Sequence, residues 1–146
     1  MVGIALNNPK ILANVGSVLR SIECFNANLL VIKGKRYKQQ GTDVFKSHRR
    51  IPVQYTENLI DNIPYGCTPI AVEFIQTATN LVNYKHPKNA YYIFGPEDGT
   101  LEDKILKQCK DIIYIPTSKC LNLAMATNII LWDRFLKQEQ QKVING

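Results

Sequence analysis

A chain of 146 residues, 45% hydrophobic and 9% aromatic, is long enough to bury a real core and too apolar to be disordered. No apolar run approaches the ~20 residues of a membrane span, and residues 1–6 lack the length and basic flank of a signal peptide, so a cytoplasmic protein is expected. The net charge of +6 is uneven: Lys33, Lys35, Arg36, Lys38, Lys46, Arg49 and Arg50 crowd one short region, which suits a polyanionic partner such as nucleic acid and equally, at this point, a solvated surface loop. The four cysteines (Cys24, Cys67, Cys109, Cys120) form no Cys-x-x-Cys pair and the two histidines lie far apart, so zinc spacing is absent and reduced thiols are expected.

Residues 2–6 read as a short apolar strand, ended by the turn signal Asn7-Asn8-Pro9. Val15, Val18, Leu19, Ile22 and Phe25 then recur at helical spacing, with Asn14 placed as the N-cap. Gly16 in the first turn costs up to ~1 kcal/mol against Ala, which points to something close against the backbone. Arg20 lies about one and two-thirds turns past Asn14. The two therefore reach the same sheet edge only if Asn14 precedes the helix. Residues 29–32 are continuously apolar, the pattern of a buried parallel strand. Tyr37 and Phe45 interleave with the basic charges that follow, a mixture that lets bases stack while cations hold phosphates. His48 fits there better as a phosphate contact than as a general base.

Residues 52–55 read as a strand, 57–63 as a weak helix, 69–74 as a strand and 75–88 as a polar surface connection with His86 in a loop. The buried strand at 90–94 runs into Gly95-Pro96-Glu97-Asp98-Gly99, a turn that lets a ligand approach bare backbone. A helix is expected over 102–110 and a last strand over 112–115, stopped by Pro116. Cys120-Leu121-Asn122 then leads into a helix that is apolar or small on nearly every side from Leu123 to Leu131, with Asn122 as an ordinary cap. Such a helix is buried on more than one face. In a chain this short, that requires a second chain or an unusual fold.

Strands alternate with helices throughout, so the expected fold is α/β with a mostly parallel sheet, as one domain over 1–146. Three polar clusters, at 14–20, 95–99 and 120–122, each follow a strand. In a parallel sheet such positions share the carboxyl edge, where ligands bind.

Taken together, the clusters resemble the signature of the SpoU/TrmH family of SPOUT-class RNA 2′-O-methyltransferases. The Asn-x-Gly-x-x-x-Arg motif followed by Phe is present as Asn14, Gly16, Arg20 and Phe25. Phe-Gly-x-Glu-x-x-Gly-Leu is present as Phe94, Gly95 and Glu97, with Gly99 and Leu101 at shifted spacing. The Ile-Pro and Ser-Leu-Asn elements are present as Ile115, Pro116, Leu121 and Asn122, with Cys120 where most relatives have Ser. Cys keeps the size of Ser but is a weaker hydrogen-bond donor.

The resemblance spans almost the whole chain and implies a deep C-terminal trefoil knot, a feature that periodicity does not predict. It implies S-adenosylmethionine held by Phe94, Gly95, Pro96, Gly99, Ile115, Pro116, Cys120, Leu121 and Leu123. It also implies a homodimer, RNA (tRNA over rRNA) as partner, no metal, and RNA contacts from Lys35, Arg36, Lys46, His48, Arg49 and Arg50. The catalytic set would be Arg20, Asn14, Glu97 and Asn122. Because a guanidinium hardly ever yields its proton, Arg20 would hold the neighbouring phosphate and stabilise the developing alkoxide. Asn14 would steady Arg20 or the ribose, Glu97 would orient the cluster, and Asn122 would fix the cofactor loop or substrate. The alternatives are a catalytically impaired RNA-binding homologue of the same fold, and a cysteine hydrolase using Cys120 with His48 or His86, which lacks a local nucleophile signature. A dinucleotide-binding Rossmann domain is excluded, because no Gly-x-Gly-x-x-Gly follows the first strand.

Overall fold

The computed structural model describes residues 1–40 and 50–146, so Phe45, Lys46, His48 and Arg49, all expected to meet RNA, lie outside the described residues. The strands are β1 (Val2–Asn7), β2 (Leu29–Lys33), β3 (Val53–Thr56), β4 (Thr68–Val72), β5 (Thr79–Asn80), β6 (Ala90–Phe94) and β7 (Asp111–Tyr114). They form one sheet in the order β3-β2-β1-β6-β4-β7-β5. Every neighbouring pair is parallel. β1 is central because the chain first builds outward through β2 and β3 and then crosses to lay β4, β6 and β7 on the other side. Such a reversal opens a crevice at the carboxyl ends of the strands.

Alternation along each strand divides the core in two. Ile4, Leu6, Leu30, Ile32, Ile70, Tyr92 and Phe94 pack with Val15, Val18, Leu19 and Ile22 of α1 (Leu12–Cys24) and Leu123, Ile130 and Leu131 of α3 (Leu123–Asn145). Ala5, Val31, Ala71, Tyr91 and Ile93 face the other way, toward Leu59, Leu101 and Ile105 of the short α2 (Asp103–Leu106). Both faces are covered, which is why the central strands read as unbroken apolar runs. Among the described residues no helix is long and apolar enough to cross a membrane.

Several local expectations change. The helix expected over 102–110 is a single turn, because Gln108 and Cys109 bond back to Ile105 and Leu106 in a tighter pattern and Asp111 already enters β7. The stretch 57–63 holds only a 3-10 turn, Ile60–Asn62, locked by Asn62 Nδ2 donating to Thr56 Oγ1 at 2.6 Å. The connection 75–88 carries edge strand β5, and it buries Leu81 and Tyr84. His86 in the same connection has a side chain only 2% exposed. Tyr37, read as a base-stacking ring, is instead a core residue, with its hydroxyl donating to that of Tyr55 at 3.1 Å. The apolar anchor beneath a basic turn and an exposed stacking ring look alike in sequence.

Candidate active site

Asn14 is not the N-cap of α1. The helix begins at Leu12, and the cap position, Ile11, has no side chain able to accept a hydrogen bond. Glu97, from the loop after β6, supplies the missing acceptor. Its Oε2 takes the Lys10 N–H at 2.7 Å and its Oε1 the Ile11 N–H at 3.2 Å. A carboxylate is well placed at the positive end of a helix. One turn in, the buried Asn14 donates from Nδ2 to Glu97 Oε1 at 2.9 Å, and its Oδ1 accepts from Asn122 Nδ2 at 3.0 Å. Asn122 in turn caps α3, with its Oδ1 accepting from the Ala124 and Met125 amides at 2.8 and 3.4 Å.

The ends of this chain fix every amide in it. A carboxylate only accepts, so the Asn14 amino group must face Glu97, and the α3 N–H groups only donate, so the Asn122 carbonyl must face them. Burial alone pushes the Glu97 pKa up, but the Asn14 side chain and the amides of Lys10, Glu97 and Ile11 outweigh it. The net effect holds the carboxyl below its ordinary range, so it is ionised at neutral pH.

Beside this relay lies a cavity of about 280 Å³ at the carboxyl ends of β4, β6 and β7. Phe94, Gly95, Pro96, Gly99, Ile115, Cys120, Leu121 and Leu123 line it together with Glu97, whereas Pro116 stays outside the lining. Its size suits a small-molecule ligand. At Gly95 an added Cβ would come within 3.3 Å of the Leu101 amide nitrogen and 3.5 Å of Glu73 Oε2, a tight fit against the neighbouring loop.

The lining also includes Glu73, Phe74, Tyr114 and Lys119, which sequence reasoning left out. The sequence pattern places Glu73 within a strand over 69–74, but β4 ends at Val72. Its carboxylate accepts the Leu101 N–H at 2.9 Å and the Phe74 N–H at 3.1 Å. An acidic residue directly after an apolar run at this edge was the available signal. Phe74 is 67% exposed and meets the Tyr114 ring edge-to-face at 5.5 Å.

Not all expected site residues converge. Arg20 is exposed on α1 and is not part of the cleft lining of its own chain. A helical step of six residues leaves it about 120° around the helix from Asn14. Lys35 is exposed. Arg50 pairs with Glu23 at 3.0 Å, and Arg36 is taken up by Asp98 and the Asn8 carbonyl. Among the described residues no cluster of His, Cys, Asp and Glu has the make-up of a metal site. The four cysteines are free thiols, with Cys120 exposed at the cleft.

The fold and site thus define a parallel α/β protein with a cavity at the carboxyl edge of its sheet, next to an ionised carboxylate and two oriented amides. The profile of the SpoU rRNA Methylase family matches residues 1–132, and the chain belongs to that family of RNA methyltransferases. Solved structures of the same fold include the Aquifex aeolicus TrmH/SpoU tRNA modifying enzyme, with a TM-score of 0.82 at 18% identity, covering 97% of this chain and 77% of that one. The AdoMet-bound rRNA methyltransferase of Sinorhizobium meliloti has a TM-score of 0.76 at 21% identity, over 91% of this chain and 55% of that one. A structure concerned with the 2-OH methylation of C/U34 on tRNA has a TM-score of 0.73 at 19% identity, over 95% and 91%. A comparison with curated proteins finds no match.

S-adenosylmethionine is the methyl donor expected of the family. The cleft fits it, with Val72, Leu121, Leu123 and Ala126 as apolar surface and Gly95 among the residues that line it.

Proposed function

We propose that this protein methylates the ribose 2′-hydroxyl of RNA, with tRNA as the substrate class. The observation that carries the reading is the hydrogen-bonded chain from Glu97 through Asn14 to Asn122, which ties three distant segments together at the rim of the cleft. Support for the 2′-hydroxyl and for tRNA comes from the relatives described as a tRNA modifying enzyme and as concerned with 2-OH methylation of tRNA.

S-adenosylmethionine, when bound, supplies an electrophilic methyl group. Phe94, Gly95, Pro96, Gly99, Ile115, Cys120, Leu121 and Leu123 would hold it, and the apolar part of that surface keeps water from the reacting centre. Glu97, Asn14 and Asn122 are fixed before substrate arrives, so they can align a ribose without reorganising. Glu97 is the group in this relay able to take a proton, although its lowered pKa makes it a weak base. Orienting the polar cluster is therefore its main contribution. Arg20 would bind the phosphate next to the target ribose and stabilise negative charge developing on the hydroxyl oxygen.

Since Arg20 lies outside its own cleft, we place it at the cleft of a second copy. The outer face of α3 supports this, with Met125, Trp132 and Phe135 each 44% or more exposed next to α1. An apolar patch of this kind marks a contact surface. The trefoil knot and a single-domain, cytoplasmic protein belong to the same proposal. What supports the knot is that β7 lies beyond β4, while α3, which follows it, packs back against α1.

Incubation with labelled S-adenosylmethionine and bulk tRNA should yield alkali-resistant dinucleotides, the mark of a 2′-O-methyl group. Arg20→Ala should abolish the label and leave cofactor affinity within about tenfold, because the role given to Arg20 is to hold the RNA phosphate and not the methyl donor. Full activity in that variant would remove Arg20 from the mechanism. Cofactor binding with no methylation of any RNA would leave only an RNA-binding homologue.

A further inference from the structure

Within the 95–99 loop, Gly95, Pro96, Glu97 and Gly99 line the cleft and Asp98 does not. Asp98 turns to the opposite side, where Arg36 grips it with both terminal nitrogens, Nη1 to Oδ2 at 2.9 Å and Nη2 to Oδ1 at 3.0 Å. The same Nη2 donates to the Asn8 carbonyl at 2.6 Å. One guanidinium thus joins the loop after β6 to the loop after β1, two residues before the point where Glu97 takes the Lys10 amide.

Arg36 is itself held in place. Gly34 leaves β2 with φ at 93°, a left-handed conformation that bends the chain back toward Asn8. The residue after Arg36, Tyr37, is only 3% exposed and anchors the turn Arg36–Gln40 in the core. A forked guanidinium–carboxylate pair is geometrically specific, and a planar fork on an anchored turn loses little freedom on pairing. Lys33 Nζ adds a longer tie to Glu102 at 3.4 Å, just beyond the loop.

We propose that Arg36 and Asp98 are positioning residues for the methyl donor: their pair holds the 95–99 loop in the shape that lines the cleft, and Arg36 serves this loop instead of contacting RNA. The proposal rests on the cofactor reading of the cleft given above. Without the pair the loop has to be ordered at the moment of binding, so affinity for the donor falls while the relay of Glu97, Asn14 and Asn122 remains. The side chains are 35% and 45% exposed, which limits the effect to about three- to fivefold, the scale of a partly exposed ion pair.

The test is calorimetric titration of S-adenosylhomocysteine into wild type, Arg36→Ala, Asp98→Ala and the double variant, with amide hydrogen exchange of residues 95–99 in the unliganded proteins. Each single variant should bind about three- to fivefold more weakly, and the double variant no more weakly than either single one. Loop protection should fall equally in all three, while β1 and β6 keep theirs. Unchanged affinity and protection in Asp98→Ala would overturn the proposal. So would an Arg36→Ala variant that loses RNA affinity and salt dependence but keeps cofactor affinity and loop protection. If wild type binds no S-adenosylhomocysteine, it is the cofactor reading that fails, and the exchange of 95–99 still decides whether the pair holds the loop.

Discussion

Asn14 uses both halves of its amide inside the protein, Nδ2 on Glu97 and Oδ1 on Asn122. Asn14→Ala leaves a carboxylate and an amide with one partner fewer each. The expected loss is about 1–3 kcal/mol of stability, the usual consequence of unpairing partly buried polar groups. Asn14→Asp should be worse than Asn14→Ala, because it sets a second carboxylate against Glu97. Urea unfolding of both variants checks the order, and the reverse order would mean that Glu97 is not ionised in the fold. The sign of the pH effect follows from the lowered Glu97 pKa. Its contribution is fully present above the ordinary carboxylate pKa and is lost as pH falls through the depressed value.

Helix α3 has two lives along its length. Leu123, Ala124, Thr127, Ile130, Leu131 and Arg134 face the sheet, and Met125, Trp132, Phe135 and Leu136 face outward. Phe25 of the loop after α1 meets Trp132 with ring centres 6.4 Å apart, and Trp132 stacks on Phe135 at 5.7 Å. If this face pairs two copies, Trp132→Glu should shift the protein from twice the chain mass to the monomer in light scattering, since a charge in an apolar interface has no partner there. It should also lower methylation as far as Arg20→Ala is expected to, because Arg20 would no longer reach a cleft. A monomeric wild type with full activity would refute the placement of Arg20 across an interface. The same element shows why α1 needs Glu97: α3 carries its own cap in Asn122, whereas α1 begins after Ile11, which has none to give.

On the scale of the molecule, the middle of α3 is bound to the sheet by a buried polar group. His86 meets Tyr92 hydroxyl through Nδ1 at 2.6 Å and Asp133 Oδ2 through Nε2 at 2.8 Å. Lys137 pairs with Asp133 at 2.7 Å, and Arg134 donates to Tyr92 hydroxyl and to the Pro87 and Lys88 carbonyls. A carboxylate must accept, so His86 carries its proton on Nε2, and the Tyr92 hydroxyl then donates to Nδ1. Burial lowers the His86 pKa, with Asp133 opposing and Arg134 and Lys137 assisting, so the imidazole is neutral in the fold although it touches a carboxylate.

The unfolded chain takes up this proton more readily than the native one. Stability is therefore full above the ordinary histidine pKa of about 6.5 and falls as pH drops through the lowered folded value. Denaturation midpoints should decline between about pH 7.5 and 5.5, and His86→Gln should flatten that slope. An equal slope in wild type and variant would show that His86 is not the group responsible.

Six of the seven strands, the α/β class and the segments around Asn14, Glu97 and Asn122 were legible in the chain, because each is written in local terms: apolar runs, periodicity, and turn residues at a strand's end; the two-residue β5 was not. The helix that caps with Asn122 was legible for the same reason. Which partner each polar side chain takes was not. Glu97 capping a helix more than eighty residues away, Arg36 turned to Asp98, Glu73 at the cleft, Tyr37 inside and His86 neutral beneath α3 all depend on distances across the sheet. Those distances are set by strand order and crossover, which side-chain type does not encode. Only the tertiary structure brings a donor and an acceptor far apart in the chain to within 3 Å, and at that range desolvation and pairing decide what each group does.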